Sequence, residues 1–210
     1  MKMEINGEYD VIHVSSHSIK SNELIDIDIN SFMDDFNKNI SKSKYRRNKL
    51  IISFDGIGDI LLNIQLFKDV FRKENYIKDK YNYIKIDYSI STSIPNKSIL
   101  ELEEYVIKYG ISLKINYLIH SPIECIRNKY YPNNKVSVCE GLDYLNRFYK
   151  KTSNVIIDYD FIDGVNDSSR ELNRICELLN DYSIPIKFTV RKDEWVNSIH
   201  KLIPNLEIIV

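Results

Sequence analysis

The chain has 210 residues, and 29 Lys and Arg stand against 30 Asp and Glu, which gives a formal net charge of −1. This balance argues against the basic excess of a general nucleic-acid or anionic-membrane binder, while a local basic patch stays compatible with it. Hydrophobic residues at 43% and aromatic residues at 11% exclude a largely disordered chain. We expect a single folded domain over residues 1–210.

Apolar and β-branched runs alternate with helical patterns along the chain. The predicted strands are Tyr9–Ser15, Lys49–Phe54, Ile84–Ile90, Leu113–Ile119, Val155–Ile162, Ile184–Val190 and Leu206–Val210. The predicted helices are Ile29–Ile40, Ile64–Glu74, Lys97–Tyr109, Val136–Lys150, Ser168–Asn180 and Glu194–Leu202. The alternation predicts an α/β fold with a parallel sheet buried on both faces, either a full or partial β/α barrel or a doubly wound open sheet. Both architectures place function at the carboxyl ends of the strands.

The cysteines bear on the cellular compartment. Cys125, Cys139 and Cys176 are odd in number and widely spaced, so they predict neither a disulfide framework nor a zinc knuckle. The first residues lack the apolar core of a signal peptide, and no apolar run approaches the roughly 20 residues that span a bilayer. We therefore expect a soluble, cytoplasmic protein with no membrane partner.

Two loops lie between a predicted strand and a predicted helix. In Gly56–Asn63, the glycines would permit a sharp turn and a close approach of the backbone to a ligand. The alternative is an ordinary strand-to-helix turn, in which Asp59 near the start of the helix is favoured by the helix dipole. The third glycine of a dinucleotide site is absent. In Asp163–Ser168, Ser168 is a predicted helix cap, and Glu171 stands at the capping-box spacing.

The histidines are the other candidates for chemistry. His120 directly follows a predicted strand, where an imidazole binds a ligand, moves a proton, or is simply a loop residue. His13 and His17 flank the end of the first strand, but no Cys, Asp or Glu stands at a telling metal-ligand spacing, so we predict no metal site. With no Gly-x-Ser-x-Gly elbow and no phosphate-binding Walker loop, we predict no catalytic residue.

Taken in order, these segments resemble the radical-SAM enzymes that methylate an adenine carbon of 23S ribosomal RNA, including the chloramphenicol–florfenicol resistance methyltransferases. The likeness covers about residues 9–192. The similar segments are Gly56–Asn63, Ile90–Thr92, Ile119–Pro122, Arg127 with Pro132–Lys135, and Asp158–Asp167. The resemblance implies a radical-SAM-like barrel of about six parallel strands with outer helices. It also implies a residual S-adenosylmethionine site at Gly58, Asp59, Ser91, His120 and Asn166.

Other positions depart from the family. Its members hold a [4Fe–4S] cluster on Cys-x-x-x-Cys-x-x-Cys after the first barrel strand, and here we read Lys20, Leu24 and Ile27 at those positions. None supplies a soft donor, so we predict that the cluster is absent. The family's glutamate is replaced by the shorter Asp59. We also expect this chain to lack the family's N-terminal RNA-contacting domain and its methyl-carrying cysteine.

Three functional hypotheses follow. The first is a degenerate radical-SAM protein that acts as a non-catalytic binding or regulatory module, with an unknown protein as its partner. The second is association with ribosomal RNA or the ribosome through a basic loop, whose residues are Lys42, Lys44, Arg46, Arg47 and Lys49. The third is an S-adenosylmethionine-dependent rRNA methyltransferase whose cluster ligands come from elsewhere.

Overall fold

The computed structural model describes residues 1–5, 8–20, 23–41, 47–130, 132, 134–188 and 193–209. The chain forms two compact units. Unit 1 comprises Met1–Thr92 and Leu100–Lys114, and unit 2 comprises Ser93–Ile99 and Ile115–Val210. Within the described ranges, no helix has the length and apolar character needed to cross a membrane.

Unit 1 is built on parallel strands with one antiparallel edge. Its strands are β1 (Lys2–Ile5), β2 (Asp10–Val14), β3 (His17–Lys20), β4 (Glu23–Asp26), β5 (Lys49–Phe54) and β6 (Lys85–Thr92). β2, β5 and β6 pair in parallel, β1 runs antiparallel to β2, and β3 and β4 form a separate hairpin. The helices are α1 (Ile29–Ile40), α2 (Ile64–Arg72), α3 (Glu74–Tyr81) and α4 (Ser98–Tyr109), which lies in unit 1 from Leu100 onward.

The two faces of the unit 1 sheet differ. On the helix-covered face, the ring of Phe67 in α2 lies 5.7 Å from that of Phe54 and 5.6 Å from that of Tyr88. On the other face, His13, Ser53 and Ser89 are register partners across β2, β5 and β6. The expectation of strands buried on both faces is therefore wrong for β2 and β6, because their buried positions alternate with half-buried or exposed ones.

Unit 2 is fully parallel in its described part. Its strands are β7 (Leu113–Leu118, in this unit from Ile115), β8 (Val155–Tyr159), β9 (Ile186–Phe188) and β10 (Ile208–Ile209), paired in that order. Its helices are α5 (Glu124–Tyr130), α6 (Val138–Thr152), α7 (Ser169–Leu179) and α8 (Asp193–Leu202). The predicted cap of α7 is confirmed, since the Ser168 hydroxyl accepts from the backbone N–H of Glu171.

An aromatic cluster anchors α8 in unit 2. Trp195 is 5% exposed, and its ring meets that of Phe161 edge-on at 4.9 Å. The rings of Tyr159 and Phe188 lie 5.6 and 6.3 Å from it. Such edge-to-face packing adds to the stabilisation from apolar burial, so this helix is fixed against the ends of β8 and β9.

The predicted α/β class with a mostly parallel sheet is confirmed. The bounds of α1 and β5 match the prediction, whereas β1, β3, β4, α3 and α5 were not predicted. The predicted ends of the last two strands, at Val190 and Val210, lie outside the described residues.

Candidate functional site

The glycine-containing loop after β5 packs directly on the end of β2. A β-carbon at Gly56 would lie 2.4 Å from the Ser15 Oγ. That Oγ accepts from the backbone N–H of Ile57 at 3.0 Å, and the Ile57 carbonyl accepts from the N–H groups of Ser16 and His17 at 3.0 and 3.1 Å. Glycine is therefore required at position 56 because two backbone segments approach too closely for any side chain.

The second glycine of this loop lies against a buried imidazole. Gly58 has a φ of +82°, and a β-carbon there would lie 2.1 Å from the Nδ1 of His17. His17 is 5% exposed, with Nδ1 2.7 Å from the Ser16 Oγ and Nε2 3.0 Å from the Asp26 Oδ1. The chain's own imidazole fills the space that the missing side chain leaves. A side chain at position 58 would therefore have to displace His17.

Asp59 is engaged within the fold. Its two carboxylate oxygens accept from the Thr92 hydroxyl at 2.9 and 2.8 Å, and Oδ1 also accepts from the Leu61 N–H at 3.0 Å. It thereby caps the short 3₁₀ turn at Ile60–Leu62 and fixes the end of β6. Ser91, one residue before Thr92, is half-buried. The structure thus brings Gly58, Asp59 and the strand end that carries Ser91 into one region of unit 1.

The β3–β4 hairpin carries the positions that resemble the cluster cysteines. Leu24 is 57% exposed, and the Lys20 side chain lies outside the described residues. At the hairpin base, the Ile27 N–H donates to the Ser16 carbonyl at 3.0 Å, and the Asn63 amide donates to the Ser16 and Ile27 carbonyls at 2.9 and 3.1 Å. The three cysteines are free thiols of unit 2, at Cys125, Cys139 and Cys176.

In unit 2, Asn166 ties its own loop to the turn after β7. Its side chain is fully buried and donates to the carbonyls of His120 and Asp160, the latter at 2.7 Å, while its Oδ1 accepts from the Ile162 N–H at 2.7 Å. The Tyr159 hydroxyl donates to the Asn166 carbonyl at 2.6 Å. The structure thus joins Asn166 to the His120 turn, and the Asn166 amide acts as a clamp on the loop.

Two ionisable groups with shifted pKa values meet at the turn after β7, namely His120 in the turn and Glu171 of α7. His120 has a φ of +50°, and burial lowers the pKa of its imidazole, a shift that the nearby Asp160 carboxylate opposes. The neutral ring is thus favoured. The Ser121 hydroxyl donates to the fully buried Glu171 Oε1 at 2.9 Å, and burial raises the pKa of the Glu171 carboxyl. The Glu171 side chain thus points to Ser121 rather than to the cap of α7.

Arg127 is a buried clamp that sequence patterns alone do not reveal. Its guanidinium is 1% exposed and donates to the Val136 carbonyl at 2.9 Å and to the Ser93 carbonyl at 2.6 Å. A planar fork suits two fixed carbonyls better than an ammonium does. The guanidinium of Arg127 therefore stabilises the loops of unit 2 that carry Ser93 and Val136.

Both N-terminal histidines pair with carboxylates. The His13 Nδ1 lies 2.8 Å from the Asp55 Oδ2, which also accepts from the Ser53 hydroxyl at 2.9 Å, and His17 pairs with Asp26 as described. The spacing in sequence does not reveal these pairs, because His13 of β2 pairs with Asp55 just after β5, and His17 of β3 pairs with Asp26 of β4. Among the described residues, no cluster of three or more His, Cys, Asp or Glu suits a metal ion.

Of the five residues predicted to form the basic loop, the structure describes only Arg47 and Lys49. Lys42, Lys44 and Arg46 lie outside the described residues. Arg47 is exposed, and its backbone N–H donates to the Asp10 carboxylate at 3.2 Å. Lys49 is the first residue of β5, and its ion pair with Asp87 at 2.8 Å raises the pKa of its ammonium. The positive charge of Lys49 is therefore partly neutralised by Asp87 within the fold.

The chain matches curated RNA methyltransferases over most of its length. It is 31% identical over 162 residues to the dual-specificity RNA methyltransferase RlmN of Psychrobacter arcticus, a match that covers 72% of this chain and 38% of the relative. It is 28% identical over 148 residues to the probable RlmN of Thermotoga petrophila, covering 69% of this chain and 42% of the relative. The chain is related to the radical-SAM rRNA methyltransferases. It spans about two fifths of the length of these curated relatives, and no family model matches it.

Solved structures of radical-SAM enzymes share the fold of this chain. A radical SAM methyltransferase from Sphaerobacter thermophilus superposes with a TM-score of 0.73 at 14% identity, covering 99% of this chain and 67% of that one. The enzyme anSMEcpe, crystallised with bound AdoMet and a peptide, gives a TM-score of 0.58 at 12% identity, covering 94% of this chain and 63% of that one. At such identities these matches establish the fold alone.

The residues of this radical-SAM relative do not fit the cluster that its fold family implies. At the hairpin positions, Leu24 and Ile27 offer alkyl groups where iron requires thiolates. Two of the residues that resemble the S-adenosylmethionine contacts make contacts within the fold, since Gly58 packs on His17 and the Asp59 carboxylate accepts from the Thr92 hydroxyl.

Proposed function

We propose that this radical-SAM relative is a binding module without cluster-dependent catalysis. The observation that carries the proposal is the hairpin, where Leu24 and Ile27 stand at the positions that resemble thiolate ligands, while all three thiols belong to unit 2. Without thiolates at that place, an iron–sulfur cluster has no anchor. The unpaired, odd set of thiols also favours a cytoplasmic location.

The engagement of the motif residues supports the same proposal. Gly58 and Asp59 stabilise the loop after β5, and Asn166 stabilises the loop after β8. Residues that serve the local fold keep that fold intact after the chemistry is lost. On this proposal, motifs of a catalytic family persist because they serve the fold of a chain without cluster-dependent catalysis.

Anaerobic reconstitution with iron and sulfide tests the absence of the cluster. We expect no charge-transfer absorbance in the visible region and no stoichiometric iron after desalting. A yield of about four irons per chain with the matching spectrum would overturn the proposal. The variant Leu24→Cys is a suitable control, because one added thiol on an exposed strand does not complete a three-cysteine site.

Calorimetric titration of S-adenosylmethionine into iron-free protein tests the predicted residual site. Because the Asp59 carboxylate already accepts from the Thr92 hydroxyl and the Leu61 N–H, we expect no saturable heat from the wild-type protein. A dissociation constant in the micromolar range, which corresponds to about −8 kcal/mol, would show that the site is retained. In that event Asp59→Asn and Ser91→Ala are the variants that locate it.

The names of the relatives favour a second candidate function, association with RNA. Two curated relatives with 28–31% identity are RNA methyltransferases. In this chain, Arg47 presents an exposed guanidinium beside the sequence of the basic loop. Filter binding to single-stranded RNA at rising salt tests this function, because phosphate contacts release counterions and the affinity falls with salt. Lack of affinity at low salt would exclude it.

A further inference from the structure

A hollow on the surface of unit 1 has walls of mixed chemistry. It measures about 210 Å³ and is lined by residues of α1 and of α3 with its preceding residue, namely Ile29, Asn30, Met33, Asn37, Lys73 and Tyr76. Two apolar side chains, two amides, one aromatic ring and one ammonium thus face a single space. Such a mixture of apolar, aromatic and polar groups suits a planar heterocycle, which has apolar faces and a polar edge.

The aromatic wall is both exposed and held in place. Tyr76 is 48% exposed, and the Lys80 Nζ lies 5.2 Å from its ring centroid and 2.9 Å from its hydroxyl. The same Nζ lies 5.2 Å from the ring of Tyr81, whose hydroxyl donates to Asn37 on the opposite wall. These contacts connect Tyr76 to α1 through the Lys80 ammonium and Tyr81. A preorganised ring is what a stacking ligand requires.

The lining of the hollow includes one ammonium group, that of Lys73, and no carboxylate. Lys73 lines the hollow and is exposed, and the Lys80 ammonium lies over the ring of Tyr76. Of the acids on these two helices, Asp35 and Glu74 form ion pairs with Lys38 and Lys78, and Asp28 beside Ile29 accepts from the Ser31 N–H as the cap of α1. In sequence, the basic loop follows directly after the end of α1. An anionic ligand is therefore favoured over a cationic one.

We propose that this hollow binds one nucleotide unit, with the base stacked on Tyr76, its edge near the amides of Asn30 and Asn37, and its phosphate near Lys73. The inference rests on the proposed association with RNA and names the hollow as the place where one base of the RNA binds. A base can reach the hollow from single-stranded RNA or from a free mononucleotide. Both sources share the stacking chemistry, and the experiment separates them.

Fluorescence anisotropy with a labelled ten-nucleotide RNA of mixed sequence measures the first source, and NMR titration with adenosine monophosphate measures the second. Stacking of one base contributes about 1–3 kcal/mol, so we expect Tyr76→Ala to weaken RNA binding by about 5- to 150-fold. Tyr76→Phe keeps the ring and is expected to bind within about two-fold of wild type. Lys73→Ala should lower the slope of log affinity against log salt by about 0.7, the value for one phosphate of a single strand.

Tyr109→Ala is the matched control. Tyr109 is 50% exposed and carries Lys108 over its ring at 5.3 Å, yet it does not line the hollow. Equal losses from Tyr76→Ala and Tyr109→Ala, with RNA still bound by the wild type, would overturn the site and leave RNA association standing. No RNA binding and no adenosine monophosphate binding would overturn both. Binding of the mononucleotide alone, lost in Tyr76→Ala, supports the hollow and identifies a free nucleotide as its ligand.

Discussion

Gly58→Ala places a methyl group where the His17 ring already lies. The new β-carbon would be 2.1 Å from Nδ1, 2.6 Å from Cγ and 2.9 Å from the Cβ of His17, so the imidazole must move. A left-handed backbone costs an L-residue about 1–2 kcal/mol. Breaking the buried Ser16–His17 hydrogen bond adds about 1–3 kcal/mol, whereas water can replace the bond to Asp26, whose side chain is 68% exposed. We expect a total loss of about 2–5 kcal/mol.

Urea denaturation followed by far-UV circular dichroism measures this loss as a shift in midpoint at constant slope. Gly110→Ala is the matched control, since Gly110 has a φ of +62° and a β-carbon there meets nothing within 4 Å. Gly110→Ala should show the backbone cost alone. The difference between the two variants then isolates the contact with His17.

A double-mutant cycle with His17→Gly completes the test. Without the imidazole, Gly58→Ala should cost only about 1–2 kcal/mol, because the steric contribution disappears. Two results would refute the reasoning: an equal cost of Gly58→Ala in both backgrounds, or a cost no larger than that of Gly110→Ala.

Three further variants probe unit 2. Because burial holds the pKa of Glu171 above its ordinary value of 4.5, its contribution to stability is full below about pH 4.5 and is lost as the pH rises through the folded pKa. Glu171→Gln should therefore match the wild-type melting temperature in acid and exceed it at pH 7; a lower value at pH 7 would contradict this. Asn166→Ala removes the amide's hydrogen bonds to three backbone groups and should cost about 2–4 kcal/mol in urea unfolding, against less than about 0.5 kcal/mol for the exposed Asn173→Ala. Arg127→Lys should cost about 1.5–3 kcal/mol, since one ammonium cannot replace two guanidinium bonds, and an unchanged urea midpoint would count against the clamp.

The elements with strong local signals were predictable from the sequence. In α1, Asp28 accepts from the Ser31 N–H as the cap, and Phe32, Phe36 and Ile40 recur at helical spacing on the buried face. By contrast, α3 has no side-chain cap, and only Ile77 and Tyr81 of its residues are buried. Its signal comes from packing in the fold, so periodicity does not reveal it.

In the candidate site, too, features with a local sequence signal were predictable and features that depend on tertiary contacts were not. The loops were predictable, because Gly58 and Ser168 carry turn and cap chemistry in their own neighbourhood. Their tertiary partners were not. The Asn166–His120 pair is 46 residues apart and the Ser121–Glu171 pair is 50 residues apart, so no local pattern connects them. Such long-range pairs become visible only when the strands are placed side by side.

The aromatic cluster at α8 gives the molecule an internal optical reporter. Trp195 is the chain's one tryptophan, and it is buried among rings of unit 2. Its emission therefore follows unit 2 alone, while far-UV ellipticity averages over every helix and strand. Coincident transitions would indicate a single cooperative event, whereas an emission shift at lower urea would show that the tryptophan's surroundings open before the rest of the chain.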